Sequence, residues 1–509
     1  MKRSFFCMLF VLSILLLKAQ DSTKVLMSFD QAREISMRNS HEIKQIQYLQ
    51  EEKNQEVKAA RGYYLPKVGI TATYMLMSDD LHLDLSEVKD AITPLYSALG
   101  HYGVFTGVPN PDPATNTAMP ILPDNYSTQA VRTQLLGGLD QIEQASWDKT
   151  IQKKDFGLVA ATAQWPIYVG GKIRAANAAA NIESKEVSEQ AKAKNCELIT
   201  QLVERYYGLC LAQQAVVVRS DVYYGMQRHL DDATKMEKQG LIANADVLHA
   251  RVYFAQAERE LNKAKRTSEI INQALIATLA IDSSAKIQPV SELFYLDTIE
   301  SLEYFIGQMH QNNSLLKQVE SKKELTIQNY RAQRSDLLPE VALQGMYNIA
   351  DKDLSPYAPD WMVGVGLKWT LFDGASMYRK LKAASYKTEQ VEEFHQKTSA
   401  DLETAVEKTY HELQMYHEQL VEINTEDSFA KEYLKVSEKA FYQDMSNTTE
   451  VIDARLALAK VSIEKLQAMY GYDLALAQLL QYSGISDKFN DYRTRTCVKT
   501  EKYKSILEK

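Results

Sequence analysis

Leu65-Pro66-Lys67-Val68-Gly69-Ile70-Thr71-Ala72-Thr73-Tyr74 and Leu338-Pro339-Glu340-Val341-Ala342-Leu343-Gln344-Gly345-Met346-Tyr347 are two versions of one sentence, 273 residues apart. In each, a helical pattern, about Phe29 to Tyr64 in the first copy, stops at a proline, which has no N–H to continue the helix, and an alternating stretch follows with the period of a β-strand. The match runs without a gap from residues 28–74 onto 301–347, pairing Asn39 with Asn312 and Lys44-Gln45 with Lys317-Gln318. Further along the offset becomes 204, pairing Trp165 with Trp369, Gly170 with Gly374, Val247 with Val451, Ala250-Arg251 with Ala454-Arg455 and Ile281 with Ile485. The chain therefore reads as a tandem duplication, and the change of offset is a single 69-residue insertion in the first copy. It falls between Tyr74 and Gly157, where six of the twelve prolines lie within positions 94–123, and reads as a long irregular surface loop at a hairpin tip.

Each copy reads helix, strand, loop, strand, helix, turn, helix. The expected strands are about 66–77 and 157–166 in the first copy and 340–350 and 361–371 in the second. On the returning strands Val159, Ala161, Ala163 and Trp165 share one face, as do Val363, Val365, Leu367 and Trp369. The other face carries Thr162 and Gln164, matched by Gly366 and Lys368. A half-buried strand of a soluble sheet alternates in the same way, but a face that ends in tryptophan suits a membrane barrel strand with Trp165 and Trp369 at the membrane interface.

After the turns at Gly170-Gly171 and Gly374 come helical stretches at 172–239 and 376–443, each about 100 Å long at 1.5 Å per residue. Leu402, Val406, Thr409, Leu413, Tyr416, Leu420 and Ile423 alternate spacings of four and three, a coiled-coil seam. In the first copy Leu198, Leu202, Leu209 and Val216 match that seam, while Cys196, Ile199, Val203, Tyr206 and Cys210 trace a second stripe, which predicts two helical neighbours. Shorter returning helices are expected at 245–282 and 448–482. The first repeat spans 21–282, a connector 283–300, the second repeat 301–485, and a C-terminal tail 486–509.

The first twenty residues read as a secretory signal: Lys2 and Arg3, an apolar run from Phe5 to Leu17, and a cleavage site at Leu17-Lys18-Ala19. Removing it takes away three basic residues and no acidic one, leaving 55 basic against 66 acidic, net −11. That balance argues against a nucleic-acid partner. No later stretch reaches the ~18 apolar residues of a membrane-spanning helix, so membrane residence must come from strands. Cys7 lies within the signal and predicts no lipid anchor, and Cys196 and Cys210 stand about 21 Å apart along one helix, too far to bond.

With these residues in hand, the paired Leu-Pro junctions, the paired strand-Gly turns and the returning-helix segments GLIANADVLHAR (240–251) and MSNTTEVIDARLALAK (445–460), the chain resembles the outer-membrane efflux protein family typified by TolC. The resemblance covers Phe29 to about Ile485. It implies a mixed α and β membrane protein, a homotrimer with a twelve-strand outer-membrane barrel continued by a periplasmic helical coiled-coil barrel. It implies a passive duct of a tripartite efflux or type I secretion system, with a periplasmic adaptor, an inner-membrane pump of RND, ABC or MFS type, and no cofactor. Independently, four strands per chain leave two open edges that lipid cannot satisfy, so closure requires other subunits.

The resemblance also implies adaptor-reading turns at the periplasmic tip, which fall on Gly240-Leu241 and on Asp444-Met445, where the second copy departs from the family's Gly-Leu pair. It implies an acidic constriction near that tip, for which the sequence offers Asp246, Glu450 and Asp453, the last two on one helix face. Solvated charges or helix-start carboxylates account for the same residues.

Catalytic chemistry is not expected. Gly170-Gly171-Lys172 lacks the first glycine and the Ser/Thr of a phosphate loop, and His411 and His417 lie six apart on a helix and cannot share a metal. Two rivals are a soluble periplasmic coiled-coil scaffold, which leaves the duplicated amphipathic strands unexplained, and a secreted enzyme on a helical stalk. The enzyme would need ligands from Asp79, Asp80, His82, Asp84 and His101 in the insertion (78–155), which read more simply as a solvated loop.

Overall fold

The computed structural model describes residues 24–443 and 445–505; the signal segment read at residues 1–20 and the turn residue Asp444 lie outside them. In chain order the elements are β1 (Lys24–Met27), α1 (Phe29–Asn39), α2 (His41–Arg61), a 3-10 turn (Gly62–Tyr64), β2 (Lys67–Leu76), β3 (Leu81–Asp84), α3 (Ser86–Tyr102), α4 (Asp124–Gln144), β4 (Asp148–Gln152), β5 (Asp155–Val169), α5 (Lys172–Lys238) and α6 (Asn244–Leu279). There follow β6 (Lys286–Pro289), β7 (Phe294–Leu296), α7 (Leu302–Asn312), α8 (Ser314–Ser335), β8 (Glu340–Lys352), β9 (Trp361–Lys368), α9 (Ser376–Tyr442), α10 (Thr448–Tyr482), α11 (Phe489–Arg493) and β10 (Val498–Thr500). They form two compact units. One, Gly62–Gly171 with Ser335–Phe372, holds the four sheet strands β2, β5, β8 and β9 with the insertion, and the other holds the long helices and the short strands β1, β6, β7 and β10.

In the strand unit, β2, β5, β8 and β9 make one antiparallel sheet in that order. The register sets Val68 and Ile70 opposite Ala163 and Ala161, Ala161 and Ala163 opposite Tyr347 and Gly345, and those opposite Trp361 and Val363. Since directly paired residues share a face, one face gathers the apolar set of all four strands. The opposite face gathers Lys67, Gly69, Thr162, Gln164, Gln344, Gly366 and Lys368. Ile70, Val365 and Leu367 stay 73, 67 and 67% exposed. Among the described residues nothing packs over the apolar face, and β2 and β9 each pair on one side only. β5 runs three residues past its expected end, through Pro166, where the register shifts; a bulge accommodates the missing N–H.

The insertion departs from the irregular loop expected of its prolines. β3 pairs β4 as a short ribbon, and above it α3 and α4 form a helical hairpin. The side chain of Leu136 fills the space beside Gly100, and Tyr96 that beside Gly138. Arg132 donates to the Gly103 carbonyl at 3.2 Å and Trp147 to that of Ile142 at 2.7 Å. Most of the prolines sit in the link between the helices; Pro94 lies within α3, where it costs one backbone hydrogen bond without ending the helix.

In the helical unit, α5 packs on α6 and on α10, and α9 packs on α10, giving the side-by-side order α6, α5, α10, α9. This explains the two stripes on α5. Leu198, Leu202 and Leu209 are buried together with Ile199, Val203 and Tyr206, whereas α9 buries the single seam from Leu402 to Ile423. At mid-height Phe29, Tyr206, Tyr207, Phe294 and Phe489 form an aromatic knot with neighbouring ring centroids 5.3 to 6.2 Å apart. The Tyr206 hydroxyl donates to the Met27 carbonyl at 2.8 Å and accepts the Ser291 N–H at 3.0 Å. Burial of each such ring contributes roughly 2 kcal/mol, so the knot ties the N-terminal segment, the connector and α11 onto α5.

The stretch read as one helix from Phe29 to Tyr64 is two. Ser40 breaks it and recaps the second helix by accepting the Ile43 N–H at 3.3 Å, and Asn313 does the same for Leu316 at 3.0 Å in the second copy. Asparagine side chains at both breaks bind the ends of the returning helices, Asn39 to the Leu279 carbonyl and Asn313 to that of Tyr482. Those helices end in left-handed residues at equivalent positions, Ala280 (φ 49°) and Gly484 (φ 73°). A Cβ on Gly484 would stand 2.5 Å from the Asn312 backbone. Gly484→Ala is expected to destabilise the fold by about 2 kcal/mol or more, and Ala280→Gly to stabilise it by up to about 1 kcal/mol. Opposite shifts of the thermal midpoint in detergent check the pair; shifts of the same sign contradict it.

Candidate functional sites at the strand ends and the helix turns

At one end of the sheet stand Trp165 and Trp369, 46 and 54% exposed. The Trp165 indole donates to the Tyr64 carbonyl at 2.9 Å, and the Trp369 indole to the Leu337 carbonyl at 3.2 Å. Donors and acceptors correspond under the two sequence offsets. Each bond fixes a ring by its N–H while leaving its apolar body outward on the apolar face, the arrangement an interfacial tryptophan needs. Eight residues away, about 27 Å along the strand, Trp361 is paired with Tyr347 on the same face. The apolar face is thus bounded by aromatic side chains at both ends, of which the sequence reading singled out one.

At the far end of the helical unit α5 turns into α6 and α9 into α10. Gly240 has φ +74°, and the Leu241 N–H reaches back to the Met236 carbonyl at 3.0 Å. In the second copy the Met445 N–H makes the same bond to Ala440 at 2.8 Å. Leu241 and Met445 are equivalent positions, and both are exposed, 57 and 78%. The departure from Gly-Leu thus preserves an exposed apolar residue in a turn of the same hydrogen-bonded form.

The three acidic residues have unequal surroundings. Asp246 accepts the Ala243 N–H at 3.2 Å, and Glu450, its equivalent, accepts a hydrogen bond from the Ser446 hydroxyl while its own N–H is capped by Asn447 at 3.0 Å. Both carboxylates therefore help begin a helix. Asp453, one turn on, is exposed on the same face as Glu450; its equivalent in the first copy is His249, edge-to-face with Tyr253 at 4.9 Å.

Behind these turns lies a cluster the sequence reading did not resolve, although the repeated Ala250-Arg251 and Ala454-Arg455 pairs marked it. Arg455 lies against Gly225, where a Cβ would meet its guanidinium, and forms an ion pair with Glu438. His229, 6% exposed, stacks on Phe441 at 4.8 Å, and its Nε2 has no hydrogen-bond partner. Burial, with Arg455 adding repulsion, pushes the His229 pKa down to about 4.

The acidic and histidine residues of the insertion do not converge. His82 pairs with Asp148 at 3.1 Å, Asp80 accepts the Lys154 N–H, Asp84 accepts the Ser86 N–H, His101 bonds to the Ser97 carbonyl, and Asp79 is exposed. Among the described residues no three His, Cys, Asp or Glu side chains are placed to hold a metal, and no helix is long and apolar enough to cross a membrane.

An uncovered, aromatic-bounded apolar sheet together with 67-residue coiled-coil helices defines the class as a membrane-strand protein with a large helical part. The family model of the outer membrane efflux protein matches residues 138–280 and 305–485, more than half of the chain, and the chain belongs to that family. Outer membrane protein TolC of Vibrio cholerae is 23% identical over 324 residues, 59% of this chain and 71% of that protein. Among solved structures, a membrane protein from Pseudomonas aeruginosa matches with a TM-score of 0.68 at 13% identity over 90% of both chains. The outer membrane protein VceC of Vibrio cholerae matches at 0.66, 14% identical, over 90% of this chain and 96% of that one. The CmeC outer membrane channel of Campylobacter jejuni matches at 0.67, 12% identical, over 92 and 89%. The protein is thus a TolC-like efflux channel protein of the outer membrane with a large periplasmic helical portion.

The buried histidine gives a pH prediction. Between pH 6.5 and about 4 the unfolded chain takes up a proton that folded His229 refuses, so stability is full above pH 6.5 and falls as pH drops toward 4. The loss amounts to about 3 kcal/mol. His229→Gln is expected to remove most of it, read as hydrogen exchange of the adjoining helix ends; an unchanged pH profile contradicts the assignment.

Proposed function

We propose that three copies of this chain, each a tandem duplication, close a twelve-strand barrel and a twelve-helix periplasmic tunnel. The assembly acts as the passive duct of a tripartite efflux or type I secretion system, taking substrate from a periplasmic adaptor and an inner-membrane pump. One observation carries the reading: among the described residues, a four-stranded sheet with an uncovered apolar face ends in two edge strands, β2 and β9, each paired on one side only. In hydrocarbon each unpaired backbone group costs several kcal/mol, so the edges must meet other copies. The helical unit supports it in the same way, because its outermost helices leave apolar side chains uncovered, Val252 and Ile270 on α6, Val421 and Phe429 on α9. A soluble scaffold would leave the apolar sheet face in water.

In this reading Trp165 and Trp369 sit at the periplasmic boundary of the membrane, and Leu241 and Met445 offer apolar contacts to the adaptor at the tunnel tip. Asp453 is the carboxylate best suited to line the constriction, with Glu450 beside it and Asp246 in the first copy, because it is exposed and has no capping role. Threefold symmetry would make each a ring of three, which attracts cations. No step of this function calls for catalysis or a cofactor.

Two measurements test the proposal. Mass analysis of the purified protein in detergent is expected to give a trimer, and a monodisperse monomer would overturn it. Glu450→Gln with Asp453→Asn, which keeps hydrogen-bonding shape while removing charge, is expected to leave the trimer intact. In single-channel recordings it should lower cation preference and divalent block on the order of two- to tenfold. Parent-like conductance and block would remove these residues from the constriction.

A further inference from the structure

The inserted hairpin contains a helix with three faces. Ile92, Thr93, Tyr96 and Gly100 of α3 turn toward α4, where Leu136 and Gly138 receive Gly100 and Tyr96. Glu87, Asp90 and His101 make a polar side. The third face carries Val88, Ala91, Leu95, Ala98 and Tyr102, all exposed, with Leu99 beside them. Val88, Leu95 and Tyr102 are 48, 56 and 85% exposed. Their spacings alternate three, four, three, four, the pattern of a helix that packs along another helix, and that pattern is independent of the side used against α4. The outward side of α4 is different in kind, carrying Gln129, Thr133, Gln134, Asp140, Gln141 and Gln144, with Tyr126 its one large exposed apolar side chain. One helix of the hairpin faces water and the other carries an apolar seam that no described residue covers.

We propose that this seam docks against α3 of the neighbouring copies, so that the three hairpins join into a helical cap over the external mouth of the barrel. The inference rests on the trimeric barrel reading. What commits the seam to a second copy is its attachment. The insertion leaves from the end of β2, an edge strand of the sheet, so in the closed ring each α3 rises from the border with the next copy and the three stand around one mouth, a third of a turn apart. Helices that rise close to the threefold axis meet their own copies in parallel, and a stripe of alternating large and small apolar residues, Val88, Ala91, Leu95, Ala98, Tyr102, can interdigitate with copies of itself. The hairpin is held by its own contacts, the Arg132 bond to Gly103 and two bonds between Thr128 and Phe105 among them, so it presents the seam as a preformed surface.

The test uses the full-length protein in outer-membrane fractions carrying Ala98→Cys, Leu95→Cys or Gln134→Cys, with the parent as background for Cys196, Cys210 and Cys497. A short bis-maleimide is expected to join two protomers in the Ala98→Cys and Leu95→Cys proteins and to give only the parental background in Gln134→Cys, which lies on the polar side of α4. Mass analysis in detergent runs alongside. A trimer with no cross-link from either seam position overturns the cap alone, whereas a monomer overturns the barrel reading and the cap with it. A fluorophore on Ala98→Cys that is quenched by lipid-borne quencher, without cross-linking, would assign the seam to the membrane surface and overturn the cap. Cross-linking from Gln134→Cys equal to that from the seam would mean unspecific collision and would also overturn it.

Discussion

A strand edge carries a row of N–H and C=O groups, and hydrocarbon offers them nothing to bond. This constraint governs the protein. Its sheet has an apolar face from Val68 to Trp361 that no second layer covers among the described residues; with that face in lipid, as proposed, neither β2 nor β9 can remain an edge. The proposed closure by other copies follows from backbone chemistry before any family is invoked, and the number three comes from the family alone.

The helical unit meets a milder form of the same problem. Helices of 67 residues cannot be buried in a core of ordinary thickness, so α5 is packed between two long neighbours, α9 against one, and both face outward elsewhere. α5 and α10 are satisfied within the chain, being the inner pair of the row, while α6 and α9 keep exposed apolar residues on their outer sides. The aromatic knot around Phe29 and Tyr207 then fixes the row at mid-height, which leaves the turns at Leu241 and Met445 at the end of long levers. Polar groups are retained near them, His229 without a partner for Nε2 and Arg455 against Gly225.

In the proposed duplication the two halves differ unevenly, and the difference is informative. Indole bonds to Tyr64 and Leu337, helix breaks at Ser40 and Asn313, and six-to-one turns ending at Leu241 and Met445 recur in both. These are places where backbone geometry must be repeated. Asp453 facing His249 and the inserted hairpin are places where it need not be.

The sequence by itself determined the order of the four sheet strands and the long helices, the buried seams of α5 and α9 and the tryptophans, because periods of two and of alternating three and four are local properties of a chain. It overran at Phe29–Tyr64, where Ser40 breaks the helix by a side-chain cap that a hydrophobic pattern does not register. It also took the insertion for irregular loop, since six prolines outweighed a seam that only becomes visible once α4 is known to cover the other side of α3. The pairing of β5 with β8, the aromatic row at Tyr347 and Trp361, the capping duty of Asp246 and Glu450 and the burial of His229 were decided by tertiary structure alone. Each depends on which distant segment lies opposite, and residues more than a hundred positions apart leave no periodicity by which to find one another.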